Sequence, residues 1–207
     1  MDGARPTVQE AQRTMGQKLP RTDDRRVRRT RRALIEALIA LILERGWDGF
    51  SVQDLCERAD VGRSTFYTHF ADKEEVVAGG FEDLRMGLSA QLAAAGAAPA
   101  RPLGFSVGLI EHAHEHRPLF RALVGRRSGQ VVLQRFSELV RDLVREDLAT
   151  LVAPGPRGDG TVAFVAGAFM GLLTWSLEAR SGLAAKEVEE LLHELAGPAL
   201  AAASRRR

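Results

Sequence analysis

The chain has 207 residues, of which 45% are hydrophobic and 27% are charged, with a formal net charge of +2. A sequence this apolar is not wholly disordered, and its length allows one or two domains with a buried core. The single cysteine, Cys56, excludes an internal disulfide and is expected to be a small buried residue. No uninterrupted apolar run reaches bilayer length and the first residues lack the apolar core of a signal peptide, so we expect a cytoplasmic protein without a membrane partner.

The first part of the chain is rich in arginine. Residues 1–26 are polar and basic without periodicity, which predicts a disordered arm. Six arginines fall between Arg25 and Arg32, just before a helix, where they can lie along DNA phosphates. The alternative interpretation of this run is a solvated basic tail. The helix that follows has its apolar side chains at helical spacing and ends at Gly46, a good C-terminal cap.

Two short helices joined by a glycine-containing turn are predicted next. Ser51 is a good N-cap and Asp54 follows three residues later, so the first of these helices should begin at Val52. In the turn, Gly62 is expected either to take a positive φ or to cap the second helix.

The second short helix is expected from Arg63 to Phe70. Phe66 and Phe70 lie four residues apart on one face and should anchor it, which leaves its polar side exposed. Two such helices form a helix-turn-helix, which places the second helix in a major groove of double-stranded DNA.

Direct contacts to bases are assigned to this second helix. Arg63 is the best candidate for reading guanine, because one guanidinium can engage O6 and N7 together. Ser64, Thr65 and Thr68 are placed to touch bases or thymine methyl groups.

The same stretch has the spacing of a known family. The matching residues are Ser51, Leu55, Asp60, Val61, Gly62, Ser64, Thr65, Tyr67, His69, Phe70, Lys73 and Val76 or Val77. Over roughly Arg29 to Val77 the chain resembles the DNA-binding domain of TetR-type bacterial transcriptional regulators. The departures are mild: Asp60 replaces a usual glycine, Gly62 stands where serine is common, and Ser64 where glycine is common.

The resemblance implies how the protein works. Ser51, Tyr67, His69 and Lys73 would contact phosphates and fix the register without reading sequence. Arg29 and Arg31, from the basic run, are added to the DNA contacts. TetR-like proteins act as homodimers on palindromic operators and are usually repressors that a small-molecule effector releases from DNA.

The remainder of the chain also reads as helices. A fourth helix starting near Asp72 should connect to further helices at about 103–115, 118–125, 129–152, 160–180 and 184–203, and no strand alternation or repeat is evident. The predicted fold is all-α: an arm (1–26), a three-helix DNA-binding domain with the helix-turn-helix (27–77), and a helical effector-binding and dimerisation domain (78–207).

Helix 160–180 is apolar on nearly every side, so both of its faces need partners. One face can form the subunit's own core and pocket, and the other face, with the last helix, can form a four-helix dimer interface. The alternative is that both helices fill the core of a monomer. The predicted dimer residues are Met170, Leu173, Leu177, Leu191 and Leu195. The predicted pocket residues are Phe105, Leu109, His112, Phe120, Phe136, Val140, Phe164 and Trp175. For each pocket residue, a place in the plain core is an equally good interpretation.

Other chemistry has less support in the sequence. His112 and His116 share a helix face, and Glu111 or Glu115 could add an oxygen ligand, but a further ligand is not identifiable, so no metal site is predicted. Phosphate-binding loops and nucleophile motifs are absent from the sequence, so we expect neither an enzyme nor a cofactor. The alternative to an effector-controlled repressor is a ligand-independent helix-turn-helix protein that organises chromosomal DNA or docks a protein partner.

Overall fold

A computed structural model describes residues 21–94, 102–124, 129–178 and 181–204, and these residues form helices without any strand. The helices in chain order are α1 (Arg21–Arg45), α2 (Val52–Ala59), α3 (Arg63–His69), α4 (Lys73–Ala94), α5 (Ser106–Glu115), α6 (Arg117–Val124), α7 (Gln130–Leu148), α8 (Pro156–Leu177) and α9 (Ala185–Ser204). A short 3-10 turn at Trp47–Gly49 follows α1. The predicted all-α fold is confirmed, and the predicted helix positions agree with these bounds within a few residues.

The start of α1 differs from the prediction. The helix begins at Arg21, so residues 21–26 of the predicted arm are helical, and residues 1–20 lie outside the described residues. The arginines and aspartates here carry no apolar period, and they extend a helix whose stability comes from the packed face that starts at Leu34.

Two hydrophobic clusters make up the core. The N-terminal cluster is built on Leu34, Leu55, Phe66 and Val76, all fully buried. The larger C-terminal cluster lies between α5, α7, α8 and α9. The N-terminal cluster is not self-contained, because Leu123 of α6 and Val132 of α7 belong to it. The two parts therefore share apolar contacts.

Helix α4 connects the two parts. It packs against α1 at its start and against α7 further along. Phe81 of α4 contacts both clusters and lies against Phe136 of α7 with ring centroids 5.7 Å apart. Arg85 of the same helix forms an ion pair with Glu146 of α7.

Helix α8 is unusually apolar. Among the described residues it alone is long and apolar enough to cross a membrane, with a mean hydropathy of 1.6 over its best window, of which 39% is buried. The same composition suits a core helix that has a second apolar face. Its buried face includes Val165, Phe169 and Leu173, whereas Phe164 and Trp175 are exposed on the other side.

Candidate nucleic-acid interface and interdomain cavity

The helix-turn-helix is shaped by local hydrogen bonds. At the start of α2, the Ser51 N–H donates to Asp54 Oδ2 (2.8 Å) and the Asp54 N–H donates to Ser51 Oγ (3.3 Å), which completes a capping box. α2 ends at Asp60, whose left-handed φ of 53° reverses the chain. Gly62 then caps α3 with extended angles (φ −63°, ψ 144°). Of the two roles predicted for Gly62, the structure assigns the cap.

The carboxylate of Asp54 also links α2 to α1. It accepts a hydrogen bond from Arg45 Nη1 at 3.0 Å in addition to those from Ser51. The Ser51 hydrogen bonds, and then the Arg45 guanidinium, lower the pKa of Asp54 to about 2. The Ser51 hydroxyl donates to the same carboxylate at 2.5 Å, so its proton is already committed within the chain.

Helix α3 presents a polar face on an aromatic base. Phe66 is fully buried and Phe70, its C-cap, is 2% exposed. Four of the predicted DNA-contacting side chains are exposed and two, Thr65 and His69, are half-buried. The exposed ones are Arg63, Ser64, Tyr67 and Thr68. Six side chains suited to contacts with bases and phosphates thus lie together on one short helix that the core holds in place.

Lys73 occupies a different environment from the one that the resemblance implies. Its ammonium donates to the carbonyl oxygens of Trp47 (2.7 Å) and Phe50 (3.2 Å) and lies 4.5 Å and 4.7 Å from the centroids of their rings. Burial lowers the pKa of Lys73. The predicted phosphate contact is therefore corrected: the short turn after α3 directs this side chain inward, where it satisfies two carbonyls.

The basic run divides into packed and exposed arginines. The guanidinium of Arg31 lies 4.5 Å from the centroid of the Phe70 ring and is half-buried, so it supports α3 from behind. Arg29 is exposed. Arg32 pairs with Glu36 one turn further along α1.

A cavity of about 270 Å³ lies between the N-terminal helices and the C-terminal domain. Its wall is almost entirely apolar and comes from α1, α4, α5, α6 and α7. The lining residues include Ile35, Ile39, Val76, Gly80, Phe81, Asp83, His112, His116, Leu119, Phe120 and Phe136. Burial, and to a smaller degree the neighbouring His116, lowers the pKa of His112 to about 4. At neutral pH this imidazole is uncharged.

Comparison with known proteins agrees with this geometry. A family model described as bacterial regulatory proteins, tetR family, matches residues 34–79. The HTH-type transcriptional repressor DhaR of Mycobacterium sp. (strain GP1) is 38% identical over 86 residues, which is 39% of this chain and 43% of DhaR. The helix-turn-helix region of this chain, residues 34–79, therefore matches the DNA-binding domain of the TetR family. Its matches span less than half the length of the curated relatives.

Solved structures of TetR-family proteins share the fold over most of this chain. A TetR transcriptional regulator from Streptococcus agalactiae 2603V has a TM-score of 0.59 at 24% identity, covering 84% of this chain and 97% of that one. Thermus thermophilus FadR, solved in complex with lauroyl-CoA, has a TM-score of 0.55 at 19% identity, covering 80% and 92%. At these identities the likeness concerns the fold alone.

The predicted pocket residues separate into three groups in the structure. His112, Phe120 and Phe136 line the cavity. The next group, Phe105, Leu109 and Val140, is buried in the C-terminal core. Phe164 and Trp175 are 57% and 43% exposed, so their predicted place in the pocket is wrong. Phe164 instead lines a surface depression together with Ala199 of α9.

The predicted dimer residues need a matching correction. Leu173 and Leu177 are 2% and 3% exposed and belong to the core of the subunit. Met170 and Leu191 are half-buried, and Leu195 is 59% exposed. The sequence of a helix that is apolar on both sides does not show which side its neighbours cover. The prediction therefore exchanged the core face of α8, with Leu173 and Leu177, and its exposed face, with Phe164 and Trp175.

The wall residues from the N-terminal helices were missed in the sequence. Ile35 and Ile39 are spaced i, i+4 on α1 beside the buried leucines, and Val76 belongs to α4. The sequence did contain a signal for these wall residues: the apolar stripe on α1 is wider than packing against a single core requires.

Proposed function

We propose that this protein is a homodimeric transcriptional regulator that binds a palindromic DNA operator and responds to a small molecule. The observation that carries the proposal is the polar face of α3, from Arg63 to Thr68, mounted on the buried rings of Phe66 and Phe70. The family match over residues 34–79 and the regulator names of its relatives support the same function. Those relatives are named as regulators rather than enzymes, and we propose no reaction. We place the protein in the cytoplasm, where its DNA would be.

For DNA binding, the two copies of α3 would enter successive major grooves about 34–36 Å apart. Arg63 would read a base, with Ser64, Thr65 and Thr68 beside it, while Tyr67, His69 and Arg29 would contact phosphates. Ser51 would contribute chiefly by capping α2, and Arg31 by holding Phe70.

The second subunit would cover the exposed apolar face of α8. Phe164 and Trp175 on α8 and Leu195 on α9 are large apolar side chains left in solvent by the single chain. Packing them against a symmetry mate would bury this surface and give the four-helix interface common in helical dimers.

The effector would bind in the interdomain cavity. Its wall joins α1 of the DNA-binding domain to α5, α6 and α7, so an occupant that prefers one separation of these helices would change DNA affinity through that preference alone. The lining favours an apolar molecule or an apolar portion of a larger one.

Recovery of bound fragments from a pool of genomic DNA by the full-length protein tests this function. We expect one or a few palindromic sites, with protection on one face of the DNA over two half-sites. Binding at many scattered sites without a shared palindrome would instead favour the chromosome-organising alternative. Absence of any selective enrichment would contradict the proposal.

A further inference from the structure

We propose that His112, Glu115 and His116 form a binding site for a divalent transition-metal ion at the C-terminal end of α5. Their positions, i, i+3 and i+4, share one face of the helix. Two histidines four residues apart on a helix can both reach one zinc ion. The structure satisfies this spacing, because one potential ligand atom from each of the three residues lies within 4.8 Å of the other two. Since zinc bonds to nitrogen and oxygen are about 2.0–2.2 Å, modest side-chain rotations bring all three atoms to one ion.

The two imidazoles line the interdomain cavity and lie against each other. Their rings lie edge to face with centroids 4.4 Å apart, and neither ring makes a hydrogen bond to a described residue. His114, between them in sequence, is different: its Nε2 lies 3.2 Å from Ser176 Oγ on α8. Of the three histidines, His114 therefore contacts α8, whereas His112 and His116 lie against each other.

The surroundings favour a cation. His116 is the C-cap of α5, where the carbonyl end of the helix carries partial negative charge. The neighbouring cation, Arg117, is directed away, with its Nη2 donating to the Ser176 carbonyl at 2.9 Å.

The carboxylate of Asp83 on α4 is not one of the three ligand atoms that lie within 4.8 Å of one another, but it faces the same space. It lines the interdomain cavity with both histidines, and it lines an adjoining depression with His112 and Glu115. Two imidazoles with two carboxylates suit Zn²⁺, Ni²⁺ or Co²⁺. An ion held this way would connect α5 to α4, the helix that leads to the DNA-binding domain.

The test uses full-length protein without a polyhistidine tag, treated with chelator and then dialysed. Zn²⁺ is titrated by calorimetry, and Co²⁺ is followed by its visible absorption, which reports coordination directly. We expect one ion per chain. His116→Gln and Glu115→Gln, both at exposed positions, should each weaken binding by at least the roughly 10–100-fold that loss of an outer partner of a metal ligand costs. His112→Gln should do the same, and Asp83→Asn should weaken binding and change the Co²⁺ spectrum.

The matched control is His114→Gln, which removes an imidazole from the same helix and keeps a group that can bond to Ser176. It should bind metal like the wild type. Binding of much less than one ion per chain, wild-type affinity in His116→Gln and Glu115→Gln, or an equal loss in His114→Gln would overturn the site. Wild-type affinity in Asp83→Asn would remove Asp83 from it. These readouts do not involve DNA, so they stand or fall separately from the proposed regulator function.

Discussion

The ammonium of Lys73, at the start of α4, lies 2.7 Å from the carbonyl oxygen of Trp47, in the turn that follows α1. With the second hydrogen bond to Phe50, this contact joins α4 to the segment that enters α2, behind the helix-turn-helix. In sequence, Lys73 resembles a DNA-contacting residue. In the structure, its hydrogen bonds give it a structural role instead.

We expect Lys73→Met to lower the free energy of unfolding by about 1–2 kcal/mol, because two hydrogen bonds from a partly buried ammonium are lost. The salt dependence of DNA binding should not change. Urea unfolding and DNA titrations at several salt concentrations measure the two effects. As a control, Arg29→Ala, at an exposed position, should leave stability unchanged and reduce the salt slope by about one unit. Unchanged stability together with a reduced salt slope in Lys73→Met would show that Lys73 contacts DNA phosphates after all.

Arg63→Ala should cost about 1–3 kcal/mol of binding to the selected operator and relax preference at one base pair. The matched control is Arg58→Ala on α2, since the Arg58 Nη1 is hydrogen-bonded to Glu44 Oε2 on α1 at 3.0 Å. That variant should keep both affinity and base preference. Fluorescence anisotropy with the operator and with single-base variants decides the matter, and unchanged preference in Arg63→Ala would show that another residue reads the sequence.

Trp175→Glu and Phe164→Glu should split the proposed dimer while leaving the subunit folded, because each places a charge on the exposed face of α8. Sedimentation at micromolar concentration should show monomers, with operator affinity reduced in parallel because a monomer reaches one half-site. Leu173→Ala, on the opposite face, should instead lower the free energy of unfolding by about 2–5 kcal/mol. A wild-type monomer, or dimers of both charged variants, would exclude this interface.

The adjacent glycines of α4 should respond in opposite directions to alanine. At Gly80 a Cβ would meet Ile35 Cγ2 at an ordinary 3.5 Å, so Gly80→Ala should raise the free energy of unfolding by about 0.5–1 kcal/mol. At Gly79 a Cβ would lie 3.0 Å from Cε1 of the buried Phe70 ring, so Gly79→Ala should be destabilising. Urea unfolding of both variants tests the packing of α4 on α1 and α3, and a stabilised Gly79→Ala would show that this packing is looser.

Asp54→Asn should lower the melting temperature at neutral pH, since the carboxylate accepts from Ser51 and Arg45. The pKa of Asp54 is lowered from 3.8 to about 2 in the folded chain, so its contribution is present above pH 4 and is lost as the pH falls towards 2. The melting-temperature difference between wild type and variant should therefore narrow below pH 4. Ser51→Ala provides the control on the other half of the capping box, and a constant difference from pH 7 to pH 3 would contradict the role of the charge.

The local features of the helix-turn-helix could be predicted from sequence because they depend on neighbours in the chain. The capping box of Ser51 and Asp54 and the aromatic pair Phe66 and Phe70 need only the spacing of a few residues. The sequence offered two roles for Gly62, a positive φ or a helix cap. The positive φ belongs to Asp60 instead, and Gly62 has a negative φ. An aspartate tolerates this conformation and the hydrogen bonds at the end of α2 hold it there.

The tertiary structure alone decided which faces meet. Leu173 and Trp175 are both large apolar residues in the sequence. Which of them is buried and which is exposed depends on where α7 and α9 pack on α8. The cavity also combines Ile35 of α1 with Phe136 of α7, about a hundred residues apart in the printed sequence. Helical periodicity predicts that one face of a helix is buried. It does not predict which other helix covers that face, because burial depends on contacts between distant segments.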